Sequence, residues 1–207
     1  MKRWLDRMFP VGSRTVLFGA HAFWLHPFFV AWAWKRLYGF PWDPRLWVAF
    51  LAHDLGYLFK SNIDGPEGEA HPQFGARIMH SLFDRPCCVW KSGGEEWADQ
   101  RWYEFTLFHS RHYAKRHGRQ PSRLCYADKL SFLIAPRWLY LPLVRLTGEL
   151  AEYLAEASKR GDDASDAYAW HAGVCRYMGA WIEAHKDGAP DTWTPADRHA
   201  PCPAAGL

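Results

Sequence analysis

Strand-like alternation is scarce in this chain, and it has no internal repeat, no strong linker and no long unbroken apolar run. With so little period-two patterning, helical periodicity is left as the organising signal. The longest apolar stretch, residues 15–34, is interrupted by His21, His26 and Pro27, so no transmembrane span is expected. Cysteines are few and unpatterned. Cys87, Cys88, Cys125, Cys175 and Cys202 are odd in number, and the adjacent pair lacks zinc-knuckle spacing. No disulfide framework is expected, and a reducing cytoplasm fits. Charge bias is also missing: 25 basic and 22 acidic residues leave a net +3, which gives no reason to expect a nucleic-acid polymer as partner. The opening MKRWLDRMFPVGSRTV places charges and a proline too early for a secretory signal.

What the chain does have is bulk and imidazole. Its 207 residues are 49% hydrophobic and 17% aromatic, enough for one globular domain with a real core. Thirteen tryptophans allow either a thick aromatic core or exposed rings that grip a ligand, membrane or partner. Eleven histidines direct attention to metal binding and to proton transfer near neutrality.

The segments read as a succession of helices. FPWDPRLWVAFLAHDLG begins with Asp43 as N-cap and Pro44 at the first helical position, and stops at Gly56. EGEAHPQFGARIMHSLF sets Phe74, Ile78 and Leu82 on one face, and EEWADQRWYEFTLFHSRHYAK aligns Trp97, Trp102, Phe105 and Phe108. PSRLCYADKLSFLIA starts near Ser122. The segment RWLYLPLVRLTGELAEYLAEASKR is expected to kink or break at Pro142, and a last amphipathic helix runs from Ala167 to His185. We therefore expect an all-α, single-domain helical bundle over residues 1–187, with motifs in 15–135, C-terminal helices in 136–187, and an irregular or disordered tail over 188–207.

The polar residues of interest interrupt this apolar pattern. His53 and Asp54 stand side by side at the end of a buried-looking run, and His21 and His26 precede them. His71, His109 and His112 follow, and Asp128 is lodged among apolar and aromatic neighbours. A carboxylate in such a place requires a partner, and a metal site on helices needs several such groups converging. Arg111, Lys115, Arg116 and Lys129 are cations near these positions, able to receive a phosphate or to serve as ordinary surface charges. Asp64, Glu67 and Glu69 lie in a loop that suits either a proton shuttle or a plain turn and cap.

The ordered set His, His-Asp, Asp resembles the signature of the HD-domain superfamily. AHPQFGARIM is similar to the His-Pro-x-x-Gly-Ala element of cyclic-di-GMP phosphodiesterases and HD-type diadenosine tetraphosphate hydrolases. FHSRHYAKRHGRQPSRLCYADKLSF is similar to the latter group. No Gly-Tyr-Pro element follows His109, which sets the chain apart from the cyclic-di-GMP group. The resemblance implies metal ligands His26, His53, Asp54, His71, His109 and Asp128, with Asp54 bridging two ions and His21 as the alternative first ligand. With the cations that stand close to these ligand positions, Asp54, His53 and Lys129 are expected as catalytic groups and Arg111, Lys115 and His112 as substrate contacts. Two divalent ions, iron or manganese before magnesium or zinc, suit such imidazole and carboxylate donors. The expected activity is hydrolysis of a nucleotide or other phosphate ester by a metal-activated hydroxide. A mixed-valent diiron oxygenase similar to myo-inositol oxygenase is the alternative, and a binding module without turnover is the third reading. Trp24, Trp32 and Tyr57 would suit the pocket wall in either enzyme, and a homo-oligomer stays open.

Overall fold

The computed structural model describes residues 9–64, 66–84, 101–162 and 164–195. Every regular element among these residues is helical. In chain order they are α1 (Val11–Phe18), α2 (His26–Tyr38), α3 (Pro44–Ala52), a 3₁₀ turn (Leu55–Tyr57), α4 (Pro66–Glu69), α5 (Pro72–Phe83), α6 (Arg101–Leu107), α7 (Arg111–Arg116), α8 (Arg123–Ile134), α9 (Arg137–Thr147), α10 (Glu149–Arg160) and α11 (Ala167–His185). No helix among the described residues is long and apolar enough to cross a membrane.

Local chemistry explains the boundaries. Asp43 caps α3 by accepting from the Arg45 amide at 2.9 Å, and Pro44 takes the first helical position. Such a cap contributes about 1 kcal/mol. The helix ends at Ala52, short of the expected Gly56, so His53 falls at the cap and Asp54 just beyond it. Pro142 does not break the chain: α9 runs through it, because both Pro142 and Trp138, whose carbonyl loses its donor, lie on the exposed side where water can reach. The break comes at Gly148, which adopts the left-handed conformation (φ 88°) between α9 and α10. The long helix expected over residues 95–115 is two short ones, α6 and α7, separated at His109 and Ser110, while Trp97 lies outside the described residues.

One core joins α2, α3, α5 and α8 through Val30, Trp34, Phe50, Met79, Leu124 and Ala127. A second joins α9, α10 and α11 through Tyr140, Val144, Ala157 and Trp170. On α5 the buried face is Gly75, Ala76 and Met79, whereas Phe74 and Leu82 of the expected stripe are at least half exposed. Small residues win that face because α3 approaches too closely for large ones: a Cβ on Gly75 would lie 2.5 Å from the Ala52 carbonyl oxygen. The tryptophans divide between the two expectations, with Trp34, Trp170 and Trp181 buried and Trp24, Trp32, Trp42 and Trp138 exposed. Residues 188–195 carry no helix but are docked rather than loose. Asp191 and Thr194 are buried, and Asp191 Oδ1 accepts from the Trp193 and Thr194 amides. Residues 196–207, like Cys87 and Cys88, lie outside the described residues.

Candidate metal centre

Four helix ends and one helix body bring six side chains to one place. His53 and Asp54 follow α3, His71 precedes α5, His109 lies between α6 and α7, His26 opens α2, and Asp128 projects from α8. They form two clusters that share Asp54. One is His26, His53, Asp54 and Asp128; the other is Asp54, His71 and His109.

The same local device aims three of the imidazoles. His53 Nδ1 lies 3.0 Å from the Phe50 carbonyl, His71 Nδ1 2.6 Å from that of Gly68, and His109 Nδ1 2.6 Å from that of Thr106. In each case the acceptor is three residues back in the last turn of a helix, where carbonyls lack intrahelical donors. A carbonyl can only accept, so each Nδ1 carries a hydrogen and each Nε2 is the ring nitrogen turned inward. Glycines set the approach of the segments: a Cβ on Gly56 would fall 2.0 Å from the His71 carbonyl oxygen, so only glycine lets that segment lie against the His-Asp turn.

The inward atoms are crowded with donors. His26 Nε2 is 3.1 Å from Asp128 Oδ1, 3.3 Å from Asp54 Oδ2 and 3.3 Å from His53 Nε2. His53 Nε2 is 3.1 Å from Asp54 Oδ2. On the other side Asp54 Oδ1 is 3.6 Å from His71 Nε2 and 3.5 Å from His109 Nε2, which are themselves 3.0 Å apart. Donors held about 2.1 Å from a common ion stand about 3.0 Å apart at right angles and about 3.4 Å apart in a tetrahedron. Five of the spacings fall in that range, and those of Asp54 Oδ1 to His71 and His109 are 0.1–0.2 Å longer. Asp54 Oδ2 is buried and accepts no hydrogen bond, a costly state that a cation relieves. The residues present therefore fit metal ions, and buried His and Asp clusters able to hold them are a property of this fold.

Electrostatics agree with the geometry. Burial acts to raise the Asp54 carboxyl, but the charges of His53 and His21, with His109 and His26 beside it, hold it well below the usual carboxylate range. Burial likewise opposes ionisation of Asp128, and the Lys129 ammonium with His26 and His53 outweighs it. Burial, followed by the charge of its neighbour His109, keeps His71 well below the usual imidazole range, and burial also lowers His109. Burial works against protonation of His53 too, yet Asp54 and Asp128 push it up to about 10.

The remaining expected residues have varied placements. Lys129 Nζ donates to Asp128 Oδ2 at 2.7 Å, and it lines the cavity with His112. Arg111 also lines it, although its Nη1 donates to the Tyr177 hydroxyl at 2.8 Å and its guanidinium lies over the rings of Tyr177 and Trp181. Lys115 lies outside the lining of the cavity, and its Nζ donates to the Asp191 carbonyl. Glu67 accepts from the Ser61 amide and Glu69 pairs with Arg116, so both are structural, while Asp64 lies on the cavity wall. Tyr57 stacks on His71 at 3.9 Å, whereas Trp24 and Trp32 face outward.

His21 lies outside both clusters. Its Nδ1 is 2.8 Å from Thr15 Oγ1 and 3.7 Å from Glu149 Oε2. Glu149 is fully buried and also accepts from the Ala20 amide. Sequence reasoning missed this carboxylate, because the partners that bury it lie about 130 positions away (Ala20 to Glu149). Known protein families, curated proteins and solved structures give no match to the chain.

Proposed function

We propose that this chain is a metal-dependent phosphohydrolase of the HD-domain type, acting on a phosphate ester at a dinuclear centre. The observation that carries the reading is Asp54, whose two oxygens face different histidine groups, Oδ2 toward His26 and His53 and Oδ1 toward His71 and His109. A carboxylate so placed suits a bridge between two ions. Bound there, divalent ions such as iron or manganese would polarise a phosphoryl oxygen and lower the pKa of water.

The chain supplies the rest. Arg111 and Lys129 line the same cavity as the clusters and offer positive charge to the ester. Lys129, ion-paired with Asp128 and kept protonated by it against burial, also orients that ligand. These two cations favour the phosphate reading over dioxygen activation by the same ligand set. The test is metal analysis of protein purified without chelators, then phosphate release from p-nitrophenyl phosphate and a nucleotide panel. Release that Asp54→Ala abolishes supports hydrolysis. Oxygen-dependent substrate loss without phosphate would replace it with the oxygenase reading.

A further inference from the structure

The cavity that contains the metal clusters has a volume of about 540 Å³, and the larger part of its wall carries no ligand at all. Along α8 and its C-cap the cavity lining reads Asp128, Lys129, Ser131, Phe132, Ala135. Four residues of helix advance about 6 Å, so this wall turns apolar within little more than one turn of the ligand. Leu25 and Phe29 flank His26 on α2, and α9 contributes Leu139 and Leu143. On α11 the lining residues Trp170, Gly173, Val174, Tyr177 and Met178 follow helical spacing, so one stripe of that helix faces the space, with Arg176 beside it and Arg160 and Asp162 also on the wall. The charged groups of the metal end are thus joined to a mainly apolar chamber of ligand-binding size. Asparagine and glutamine, the side chains suited to reading the edge of a base, are absent from the lining.

We infer that the substrate is an amphiphile: a phosphate monoester whose alcohol portion is an alkyl chain or apolar ring rather than a nucleoside. This rests on the hydrolase reading. The phosphate occupies the metal end beside Arg111 and Lys129, and the apolar portion lies between α8, α9 and α11. Water attacks phosphorus, the P–O bond to the alcohol breaks, and the departing oxygen takes a proton. The products are inorganic phosphate and a free apolar alcohol.

Gly173 provides a test that does not threaten the fold. A Cβ there meets nothing nearer than Arg176 Nη2 at 4.0 Å, and glycine is the weaker helix former. Gly173→Leu therefore fills the chamber from a helix that gains stability. The experiment measures dissociation constants of methyl-, butyl- and hexylphosphonate for the manganese-loaded full chain by calorimetry. Binding should tighten about threefold to fourfold per methylene, and Gly173→Leu should erase most of that gain while melting no lower than the wild type. Affinity that stays flat from methyl to hexyl overturns the inference. Saturable binding to phosphatidic acid vesicles that Gly173→Leu weakens would place the ester in a bilayer, and chain-length dependence without vesicle binding would place it in solution. Phosphonates bind without turnover, so the two readings fail separately. Chain-length-dependent binding with no phosphate release from hexyl phosphate sinks the hydrolase reading alone, whereas flat binding with phosphate release from nucleotides sinks the amphiphile alone.

Discussion

His71 and His109 meet Nε2 to Nε2 at 3.0 Å, although each has its Nδ1 hydrogen engaged by a backbone carbonyl. Two lone pairs at that distance repel unless something positive stands between them. Burial keeps both rings from carrying the proton themselves. The pair is therefore built for a cation, and its behaviour should separate from that of the other cluster.

His71→Ala should reduce metal content from two ions per chain to one. Asp54→Ala should affect both sites, because each cluster uses one of its oxygens. Loss of an outer partner weakens metal affinity about 10- to 100-fold, and loss of a ligand should exceed that. Metal analysis after gel filtration reads the stoichiometry. Equal loss in both variants would refute the shared-carboxylate arrangement.

Metal uptake should release a proton at neutral pH. In the metal-free chain His53 is raised to about 10, so a metal arriving at pH 7–8 must displace its proton. Calorimetry in buffers of different ionisation enthalpy counts it. The same raised pKa has a sign for stability. His53 contributes fully below its unfolded value of about 6.5, and the contribution is lost as pH rises toward the folded value. Metal-free protein should therefore melt progressively lower as pH rises from about 6.5 toward 10, and metal-loaded protein should not show this component.

Gly75→Ala forces a Cβ to within 2.5 Å of the Ala52 carbonyl oxygen and 2.9 Å of the His53 Cα. Overpacking of this kind costs about 1–3 kcal/mol. Here it should also separate His71 from His53 and weaken metal binding. Gly173→Ala is the control and should melt at or above the wild type. A drop in both variants would point to a general intolerance of helical substitution.

Glu149→Gln keeps the shape of the side chain and removes its charge. His21 is buried, which opposes protonation, but Asp54 and Glu149 hold its pKa above the usual imidazole value. The substitution should lower that pKa, read by NMR titration of the His21 ring. An unmoved resonance would disconnect the two residues.

Helices were legible wherever capping and periodicity agreed. The start of α3 at Asp43–Pro44 and the span of α11 match the sequence reading, because caps and 3.6-residue spacing are local properties. The six histidines and aspartates of the two clusters stood out because polar groups interrupt apolar runs, and the structure brings them together while leaving His21 outside. What stayed hidden depends on distant partners. The burial of Glu149, the diversion of Lys115 to the Asp191 carbonyl and the outward turn of Trp24 and Trp32 follow from packing between segments far apart in sequence. The buried face of α5 was hidden for a related reason, since it is set by a neighbouring backbone that leaves room only for small residues.

The imidazole-to-carbonyl contacts at His53, His71 and His109 have a genetic consequence. Their acceptors belong to the main chain at Phe50, Gly68 and Thr106, so exchanging the side chain at position 50 or 106 leaves the acceptor itself in place. A centre oriented by side chains can be lost through many single codons. For these three imidazoles such targets are few, and the substitutions that remove their carbonyl contacts are those that shift whole helix ends.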